Sequence, residues 1–282
     1  MAKRPRVSDL LRPPVGAVDL KAIDPRSTPG FNGGKAGAAK AQVGLAERLS
    51  TLQEQLYAEG RTGGARSVLL VLQGMDTSGK GGTVRHVVGQ VDPSGVHVVA
   101  FKRPTAEERR HDFLWRIRAR LPAAGHIGVF DRSHYEDVVA ARVHGIVDRR
   151  TWRHRYTTIN RFEAKAVAGG MKIVKCFLHI SHEEQRERLL ARLDDPTKHW
   201  KFNPGDLDDR RRWDDYGVAY ADAIERCNTD AAPWHVVPAD RKWYRNWAIT
   251  QLMVEQLEEL ALRWPEPGFD VAEQRERLLA VP

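Results

Sequence analysis

Short apolar segments recur along the chain and predict the strands of a buried sheet. They lie at 67–74 (SVLLVLQG), 96–101, 126–130, 172–180 and 234–239. Largely apolar runs of this length are typical of parallel strands that are buried on both faces. Stretches of helical composition separate them, for example 107–121 and 151–168. Because strands alternate with helices, we predict an α/β fold with a parallel sheet of about five strands covered on both faces.

The same pattern divides the chain into three parts. Residues 1–45 are rich in Pro, Gly and Ala and lack hydrophobic periodicity, so we predict an irregular N-terminal arm. A helix is predicted from about residue 46, where leucines recur at helical spacing. The globular domain is expected to span 46–264, with an inserted lid at about 181–217 where the chain is most charged. Residues 265–282 form a short C-terminal tail.

Composition and charge indicate a globular protein with a polyanionic partner. Hydrophobic residues make up 41% of the 282 residues, and the formal net charge is +8. Residues 102–120 include seven basic and three acidic residues, and residues 149–165 include six basic residues and one acidic residue. Each of these residues taken singly is more simply explained by a solvated helix face. The charge therefore does not separate nucleic acid, phosphates and a membrane surface as partners.

Other compositional features favour the cytoplasm. Two cysteines, Cys176 and Cys227, imply no disulfide framework. No apolar run approaches the roughly 20 residues that span a bilayer, and the basic N-terminus lacks the apolar core of a secretory signal. The 11 histidines show no zinc-binding spacing. We therefore expect neither a membrane partner nor a zinc site.

A phosphate-binding loop is the main chemical signal. Residues 74–80, GMDTSGK, match GxxxxGK directly after the first predicted strand. Glycines let the backbone N–H groups point inward, the following helix N-terminus adds positive potential, and the lysine bridges phosphate oxygens. The alternative is a tight strand-to-helix turn with a solvent-exposed lysine. The residues expected to contact phosphate are Gly74, Thr77, Ser78, Gly79, Lys80, Gly81 and Gly82.

One position departs from the usual P-loop pattern. The Ser or Thr whose hydroxyl binds Mg²⁺ after the lysine is replaced by Gly81, and Thr83 is out of register. A metal-binding oxygen must therefore come from elsewhere. Asp76 lies inside the loop, where a negative charge beside phosphates indicates a bound cation. The alternative role of Asp76 is to accept hydrogen bonds from the loop's own amides.

A second acid follows the third predicted strand. Asp131 stands at the strand's carboxyl end, where a Walker B carboxylate would face the P-loop. The alternative is that it caps the next helix. Asp76 and Asp131 are thus the candidate metal ligands, and Arg132 is placed to stabilise charge on a transferred phosphoryl group. His134 is interpreted as structural, because phosphate transfer to an ionised acceptor needs no imidazole.

The predicted lid contains both acidic and basic residues and is not simply basic. Between residues 181 and 216, ten acidic residues outnumber eight basic ones. Glu184, Arg188 and Arg192 share one helix face, which is also compatible with a simple intrahelical ion pair worth about 0.3–0.5 kcal/mol. Lys198 and Lys201 follow within DPTKHWKFNPGDL. Any anion contact from the lid must come from individually placed side chains.

The order of several motifs resembles the type-2 polyphosphate kinase family. From about residue 52 to 259 the chain carries GMDTSGKGG, HDFLWR, FDRSHYEDV, EQRERLLARLDDPTKHWKF, RWDDYGVAY and APWHVVPADRKWYRNWA. The resemblance implies a three-layer P-loop kinase-like fold with a helical lid, and a Mg²⁺ cofactor for which Mn²⁺ substitutes. It further implies phosphate exchange between inorganic polyphosphate and nucleoside mono- or diphosphates, and a homo-oligomer.

The resemblance also implies roles by position. The family's P-loop acid and lysine correspond to Asp76 and Lys80, and its strand-end pair to Asp131 and Arg132. Its lid arginine corresponds to Arg192. These five residues form the expected catalytic set. Further phosphate or polyphosphate contacts are expected from Lys102, Arg188, Lys198 and Lys201.

Three motifs bear on the acceptor. HDFLWR, SHYEDV and PADRKWYRN look most like the subgroup that phosphorylates both AMP and ADP. In that subgroup an aspartate often follows the P-loop lysine, whereas this chain has Gly81. The choice among AMP, ADP and GDP therefore stays open at this point.

These residues predict direct in-line phosphate transfer by alignment and charge neutralisation. Two other functions remain open. An ATP-dependent nucleoside or small-molecule kinase would share the P-loop and lid but would not use polyphosphate. A non-catalytic protein would bind nucleic acid through the N-terminal KRPR and the basic helices, although no nucleic-acid-binding motif is recognisable. We expect no nucleic-acid partner.

Overall fold

A computed structural model of the chain describes residues 5–14 and 16–282. Five parallel strands form one sheet with the order β2-β3-β1-β4-β5. Their bounds are β1 Ser67–Gln73, β2 Val96–Ala100, β3 Ile127–Asp131, β4 Met171–His179 and β5 Trp234–Pro238. The five predicted strands are confirmed, and the central strand β1 is buried along its whole length.

Helices cover both faces of the sheet. The α-helices are α1 Val7–Leu11, α2 Gly34–Arg61, α3 Lys80–His86, α4 Trp115–Arg118, α5 Ala140–Val143, α6 Arg149–Ala168, α7 His182–Leu193, α8 Gly205–Arg211, α9 Trp213–Cys227, α10 Lys242–Glu258 and α11 Val271–Leu279. Short 3-10 helices lie at Leu20–Ala22, Val88–Gln90, Pro93–Gly95, Glu108–Arg110, His134–Asp137 and Pro196–Lys201.

Two groups of helices form the outer layers. Helices α2, α3 and α10 pack together, and so do α5, α6 and α9. The connections from β1 to β2 and from β3 to β4 cross the sheet in opposite directions. Right-handed crossovers therefore place the two groups on opposite faces. The predicted three-layer α/β architecture is confirmed.

The N-terminal region is more helical than predicted. Helix α2 begins at Gly34, so the expectation of an irregular arm is wrong for residues 34–45. Alanine, lysine and glutamine between the glycines favour a helix, and α2 packs along α10. This packing outweighs the entropic cost of the glycines. Helix α1 also lies in the predicted arm, while residues 1–4 and 15 fall outside the described part.

The N-terminal segment contacts the base of the lid. Asp240 N donates a hydrogen bond to Pro25 O (3.1 Å). The Asp240 carboxylate in turn accepts hydrogen bonds from Ser181 N (2.8 Å) and Ser181 Oγ (2.9 Å). Ser181 caps α7, the first lid helix. Residues preceding α2 thus support the point where the lid leaves the sheet.

The stretch 107–121 is helical only in part. A 3-10 turn covers Glu108–Arg110 and α4 covers Trp115–Arg118. Between them, the Asp112 carboxylate accepts a hydrogen bond from Leu114 N (3.1 Å). Such a local bond competes with helical hydrogen bonding. The expectation of helical structure throughout this stretch is therefore wrong.

The charged insertion is helical, as the lid prediction required. Residues 181–217 comprise α7, the Pro196–Lys201 turn, α8 and the beginning of α9. The tail contains the exposed helix α11. Within the described ranges, no helix combines the length and the apolar character that a membrane crossing demands. The domain boundaries themselves stay a prediction.

Candidate active site

The P-loop sequence forms a curled loop between a strand and a helix. Strand β1 leads directly into the loop, and α3 begins at Lys80. The backbone angle φ is positive at Gly74 (151°), Thr77 (65°) and Gly79 (107°). Lys80 Nζ donates hydrogen bonds to Gly74 O (2.9 Å) and Met75 O (3.3 Å). Because Lys80 is buried, the alternative of a turn with a solvent-exposed lysine is excluded.

Arg245, which the sequence did not indicate, packs against two of the loop glycines. A Cβ atom at Gly79 would collide with Arg245 Nη1, and one at Gly82 would lie 2.9 Å from Nη2. Burial and the positive charge of Arg188 lower the pKa of Arg245 to about 10. Arg245 comes from the distant helix α10, so no local pattern reveals this contact.

Gly79→Ala is expected to destabilise the fold by about 1–3 kcal/mol, because the methyl group meets Arg245 and the backbone is left-handed. Gly81→Ala is the matched control, since its added Cβ has nothing within 4 Å. Alanine favours a helix, so this control should be at least as stable as the parent. Urea unfolding gives the free energy of unfolding of both variants. An equal loss of stability in the two variants would contradict a specific clash with Arg245.

Asp76 and Arg132 form an ion pair. Arg132 Nη2 lies 2.7 Å from Asp76 Oδ1. Burial alone would raise the pKa of Asp76, but the charges of Lys80 and Arg132 outweigh burial and hold the pKa below its ordinary value. Within the described residues, no loop amide donates to this carboxylate. Asp76 is therefore ionised at neutral pH. Its carboxylate is available to bind a cation and does not accept hydrogen bonds from the amides of its own loop.

Asp131 ends β3 beside the strand that carries the P-loop. It pairs in register with Leu72 of β1. The next turn is capped by Ser133, whose Oγ accepts a hydrogen bond from Tyr135 N (3.2 Å). The Asp131 carboxylate is thus not the cap of the following helix, as the alternative interpretation required.

The two candidate metal ligands act on the same lysine. Burial and the charge of Arg132 lower the pKa of Lys80, whereas the charges of Asp76 and Asp131 act in the opposite direction. In the part of the chain that the structure describes, no cluster of three or more His, Cys, Asp or Glu could hold a metal alone. Two carboxylates nevertheless suit Mg²⁺, which usually combines one or two carboxylates with substrate phosphates and water.

Glu136 is a third acid at the site, and it was not among the residues predicted from the sequence. Burial raises the pKa of Glu136, and the charges of Arg132 and Lys80 oppose this shift. With the Gln73 amide turned to suit both neighbours, its nitrogen donates to Glu136 Oε1 (3.0 Å) and its oxygen accepts from Ser133 Oγ (3.0 Å). Its place in the motif SHYEDV, shortly after Arg132, was the available signal.

Arg188 faces the back of the P-loop instead of the phosphate side. Its guanidinium donates to Glu184 Oε1 (2.7 Å), Thr77 O (2.9 Å), Ser78 O (3.0 Å), Ala239 O (2.6 Å) and Asp240 O (3.0 Å). All five N–H groups are therefore occupied. The prediction that Arg188 contacts phosphate is contradicted, and the intrahelical pair with Glu184 is present. Arg188 links the lid helix to the loop backbone.

The lid brings Arg192 and Asp206 towards Asp76. Arg192 Nη1 donates to Lys201 O (2.9 Å) and lies 3.4 Å from Asp206 Oδ2. Burial, followed by the charge of Asp76, raises the pKa of Asp206 to about 6. The charge of Arg192 thus acts on Asp76 and Asp206. The catalytic role of Arg192 stays a prediction, and Asp206 is a lid acid that the sequence did not indicate.

Asp206→Asn is expected to raise the melting temperature of the ligand-free protein by about 2–6 °C at pH 8. The native pKa of Asp206, about 6, lies above the unfolded value of about 3.9. The charged carboxylate therefore costs stability above pH 6, and this cost disappears as the pH falls towards 4. The gain should shrink over the same pH range, as thermal unfolding at several pH values will show. Asp208→Asn, on the exposed side of the same helix, is the control, and a pH-independent gain would contradict the prediction.

The three predicted polyphosphate lysines lie on the surface. Lys102, Lys198 and Lys201 are exposed. Lys198 Nζ lies 2.6 Å from Asp195 Oδ2, and Lys201 Nζ lies 4.9 Å from the ring centre of Trp200. Within the described residues, none of the three donates to the P-loop. Their contact with polyphosphate stays a prediction.

A buried charge network anchors the segment after Arg132. Lys175 Nζ lies 2.6 Å from Glu163 Oε2 and 2.8 Å from Tyr135 Oη, and His134 Nε2 lies 3.1 Å from Glu163 Oε1. All four side chains are buried. Burial alone would raise the pKa of Glu163, but Lys175 and His134 outweigh it and lower the pKa. The interpretation of His134 as structural is confirmed.

Comparisons with known proteins agree with this geometry. A family model described as Polyphosphate kinase 2 (PPK2) matches residues 34–263. An AMP/ADP-polyphosphate phosphotransferase from Meiothermus ruber is 49% identical over 254 residues, which cover 90% of this chain and 94% of the relative. An ADP-polyphosphate phosphotransferase from Rhodopseudomonas palustris is 43% identical over 232 residues, covering 78% and 79%. The crystal structure of polyphosphate kinase 2 from Arthrobacter aurescens TC1 superposes with a TM-score of 0.95 at 51% identity, covering 98% and 97%.

Proposed function

Because this chain belongs to the polyphosphate kinase 2 family, we propose that it phosphorylates both AMP and ADP with inorganic polyphosphate as the donor. The general reaction, polyphosphate-dependent phosphorylation of a nucleotide, is common to its relatives. The observation that carries the choice of acceptors is the 49% identity, over 94% of its length, to a relative named for AMP and ADP. Neither an ATP-dependent kinase nor a nucleic-acid-binding protein finds support among the relatives.

The reaction is a direct in-line transfer. A terminal phosphate oxygen of the nucleotide attacks the end phosphorus of polyphosphate. A new P–O–P bond forms, the bond to the neighbouring bridging oxygen breaks, and polyphosphate leaves one unit shorter. Since the attacking oxygen is already largely ionised, no general base and no covalent enzyme intermediate are needed. One phosphoanhydride replaces another, so the reaction is reversible.

The chain's own residues align the reactants and offset their charge. Lys80 lies inside the loop and Arg132 is held beside it by Asp76, so both cations are fixed before phosphate arrives. Such preorganised charge is the main catalytic contribution expected in phosphoryl transfer. Arg192 reaches the same site from the lid. The hydroxyls of Thr77 and Ser78 are buried and, among the described residues, unpaired, which suits them to phosphate oxygens.

Asp76 and Asp131 are the residues that would hold Mg²⁺, with Mn²⁺ as a substitute. Asp76 fits this role because its carboxylate is kept ionised by the neighbouring cations. Asp131 fits because it ends the adjacent strand and caps no helix. When bound, the metal would neutralise negative charge between the phosphates of donor and acceptor.

Further expectations concern partners and location. GDP is a candidate third acceptor, and a homo-oligomer is the expected assembly. The cytoplasm is the expected location, and it suits the two cysteines, Cys176 and Cys227, which are both free and buried.

Phosphorus NMR tests the proposal directly. The protein is incubated with Mg²⁺ and polyphosphate, and AMP, ADP or GDP is added in separate tubes. New β- or γ-phosphate signals that grow as polyphosphate shortens, with both AMP and ADP, are expected. Transfer to only one of the two would overturn the acceptor proposal. Transfer from ATP but not from polyphosphate would overturn the choice of donor.

A further inference from the structure

Helix α6 presents a face on which every formal charge is basic. Its exposed basic side chains are Arg149, Arg150, Arg153, His154, Arg161 and Lys165. Four of them, Arg150, Arg153, Arg161 and Lys165, fall within an arc of about 120° on one side of the helix, because each residue turns the helix by about 100°. We call these four side chains the basic face of α6. The single acid of the helix, Glu163, is buried against Lys175 and contributes nothing to this surface.

The basic face is not neutralised by neighbouring elements. The ion pairs on this side of the molecule use Arg142 with Asp222 (2.5 Å) and Arg155 with Asp137 (3.6 Å). In residues 5–14 and 16–282, no carboxylate lies within 4.0 Å of the four side chains. The exposed acids on the two helices are Asp148, the N-cap of α6, on whose carboxylate the charge of Arg150 acts, and Asp214, Asp215 and Glu225 of the neighbouring helix α9. Like charges along one helix face are destabilising, so this arrangement is better suited to an anionic ligand than to water alone.

The basic face leads away from the active site. Strand β3 ends at Asp131, and α6 returns the chain to the start of β4, where Met171 pairs with Ser67 at the start of β1. Because the strands are parallel, α6 begins at the active-site edge of the sheet and ends at the opposite edge. Arg155 ties its first half to the segment after Arg132 by donating to Asp137 O (2.8 Å). A helix of 20 residues spans about 30 Å.

We propose that the basic face of α6 binds the distal part of a polyphosphate chain whose end reacts at the P-loop. The inference rests on the proposed use of polyphosphate as the donor. Polyphosphate carries negative charge on every unit and is flexible, so exposed cations can bind it by releasing its counterions. A second contact on the same chain raises affinity through effective concentration. Short chains end before they reach this surface and gain nothing from it.

The test compares chain lengths. In the full chain, Arg150, Arg153, Arg161 and Lys165 are all changed to Gln, and KM is measured for polyphosphate of about 100 units and of about six units at saturating ADP. The variant should raise KM for the long chains about tenfold and leave KM for the short chains within about twofold. The dependence of log KM for long chains on log salt should fall by about 3, since each single-strand phosphate contact contributes about 0.7.

A second variant controls for net charge. Lys35, Lys40, Arg61 and Arg275 are exposed basic residues on other surfaces, and changing all four to Gln removes the same charge. This control should leave KM for both chain lengths unchanged. The inference is overturned if both variants raise KM equally, if KM rises equally for both chain lengths, or if KM for long chains does not change. Absence of any transfer from polyphosphate by the parent protein would instead defeat the proposed function.

Discussion

Replacing Lys80 with methionine is expected to lower kcat at least about 10²–10³-fold, equivalent to about 2.7–4 kcal/mol of transition-state stabilisation. Lys80 is the cation that the P-loop encloses, with Nζ held by Gly74 O and Met75 O. Methionine keeps the length and the apolar stem of the side chain but supplies no positive charge for the transferred phosphoryl group. The formation of ATP from ADP and polyphosphate measures the effect under saturating conditions.

The matched control is Lys40→Met, which removes an exposed lysine from α2 on the surface. Its kcat should remain within about twofold of the parent value, because exposed substitutions away from the site have small effects. Circular dichroism is used to check that both variants are folded. Near-normal transfer by the Lys80 variant would contradict the assignment of the P-loop as the catalytic centre.

Lys175→Met is expected to destabilise the protein by about 3–5 kcal/mol, because it leaves the buried Glu163 carboxylate without its counter-charge. Lys175 Nζ also donates to Tyr135 Oη (2.8 Å) and Cys227 O (2.8 Å), so two further buried acceptors lose a donor. The double variant Lys175→Met/Glu163→Gln carries no uncompensated charge and should recover much of the loss. Urea unfolding gives the free energies of unfolding.

Lys172→Met provides the comparison within the same strand. Lys172 pairs with Glu259 (2.5 Å), but both side chains are partly exposed, so its loss should cost about 1 kcal/mol or less. Two outcomes would contradict the role given to the buried network. One is a loss from Lys175→Met no larger than that from Lys172→Met. The other is a double variant as unstable as Lys175→Met alone.

Most of the fold and the centre of the site follow from local patterns. Each strand is a short, largely apolar run, and the loop from Gly74 to Lys80 carries its conformational requirements in its own residues. Asp131 could be placed because the carboxyl ends of neighbouring parallel strands meet at one edge of a sheet. These inferences need only residues close in sequence and general rules of sheet topology.

Features that depend on tertiary packing could not be predicted. An arginine in the lid is expected to bind an anion, yet Arg188 donates hydrogen bonds to backbone carbonyls that folding brings together. Arg245 and Asp206 reach the site from helices whose sequences do not reveal their direction. The first turns of α2 were missed for a related reason, since packing against α10 outweighs the glycines. Side-chain partners of this kind are set by the assembled molecule.

The contact between the N-terminal segment and the lid base affects how the enzyme can be divided. The family match starts at residue 34, yet Pro25 O holds the amide of Asp240, whose carboxylate holds Ser181. A chain trimmed to the matched residues would keep each phosphate-binding group and lose the contact that supports the base of the lid. The region matched by the family model is therefore smaller than the region whose contacts hold the lid in place.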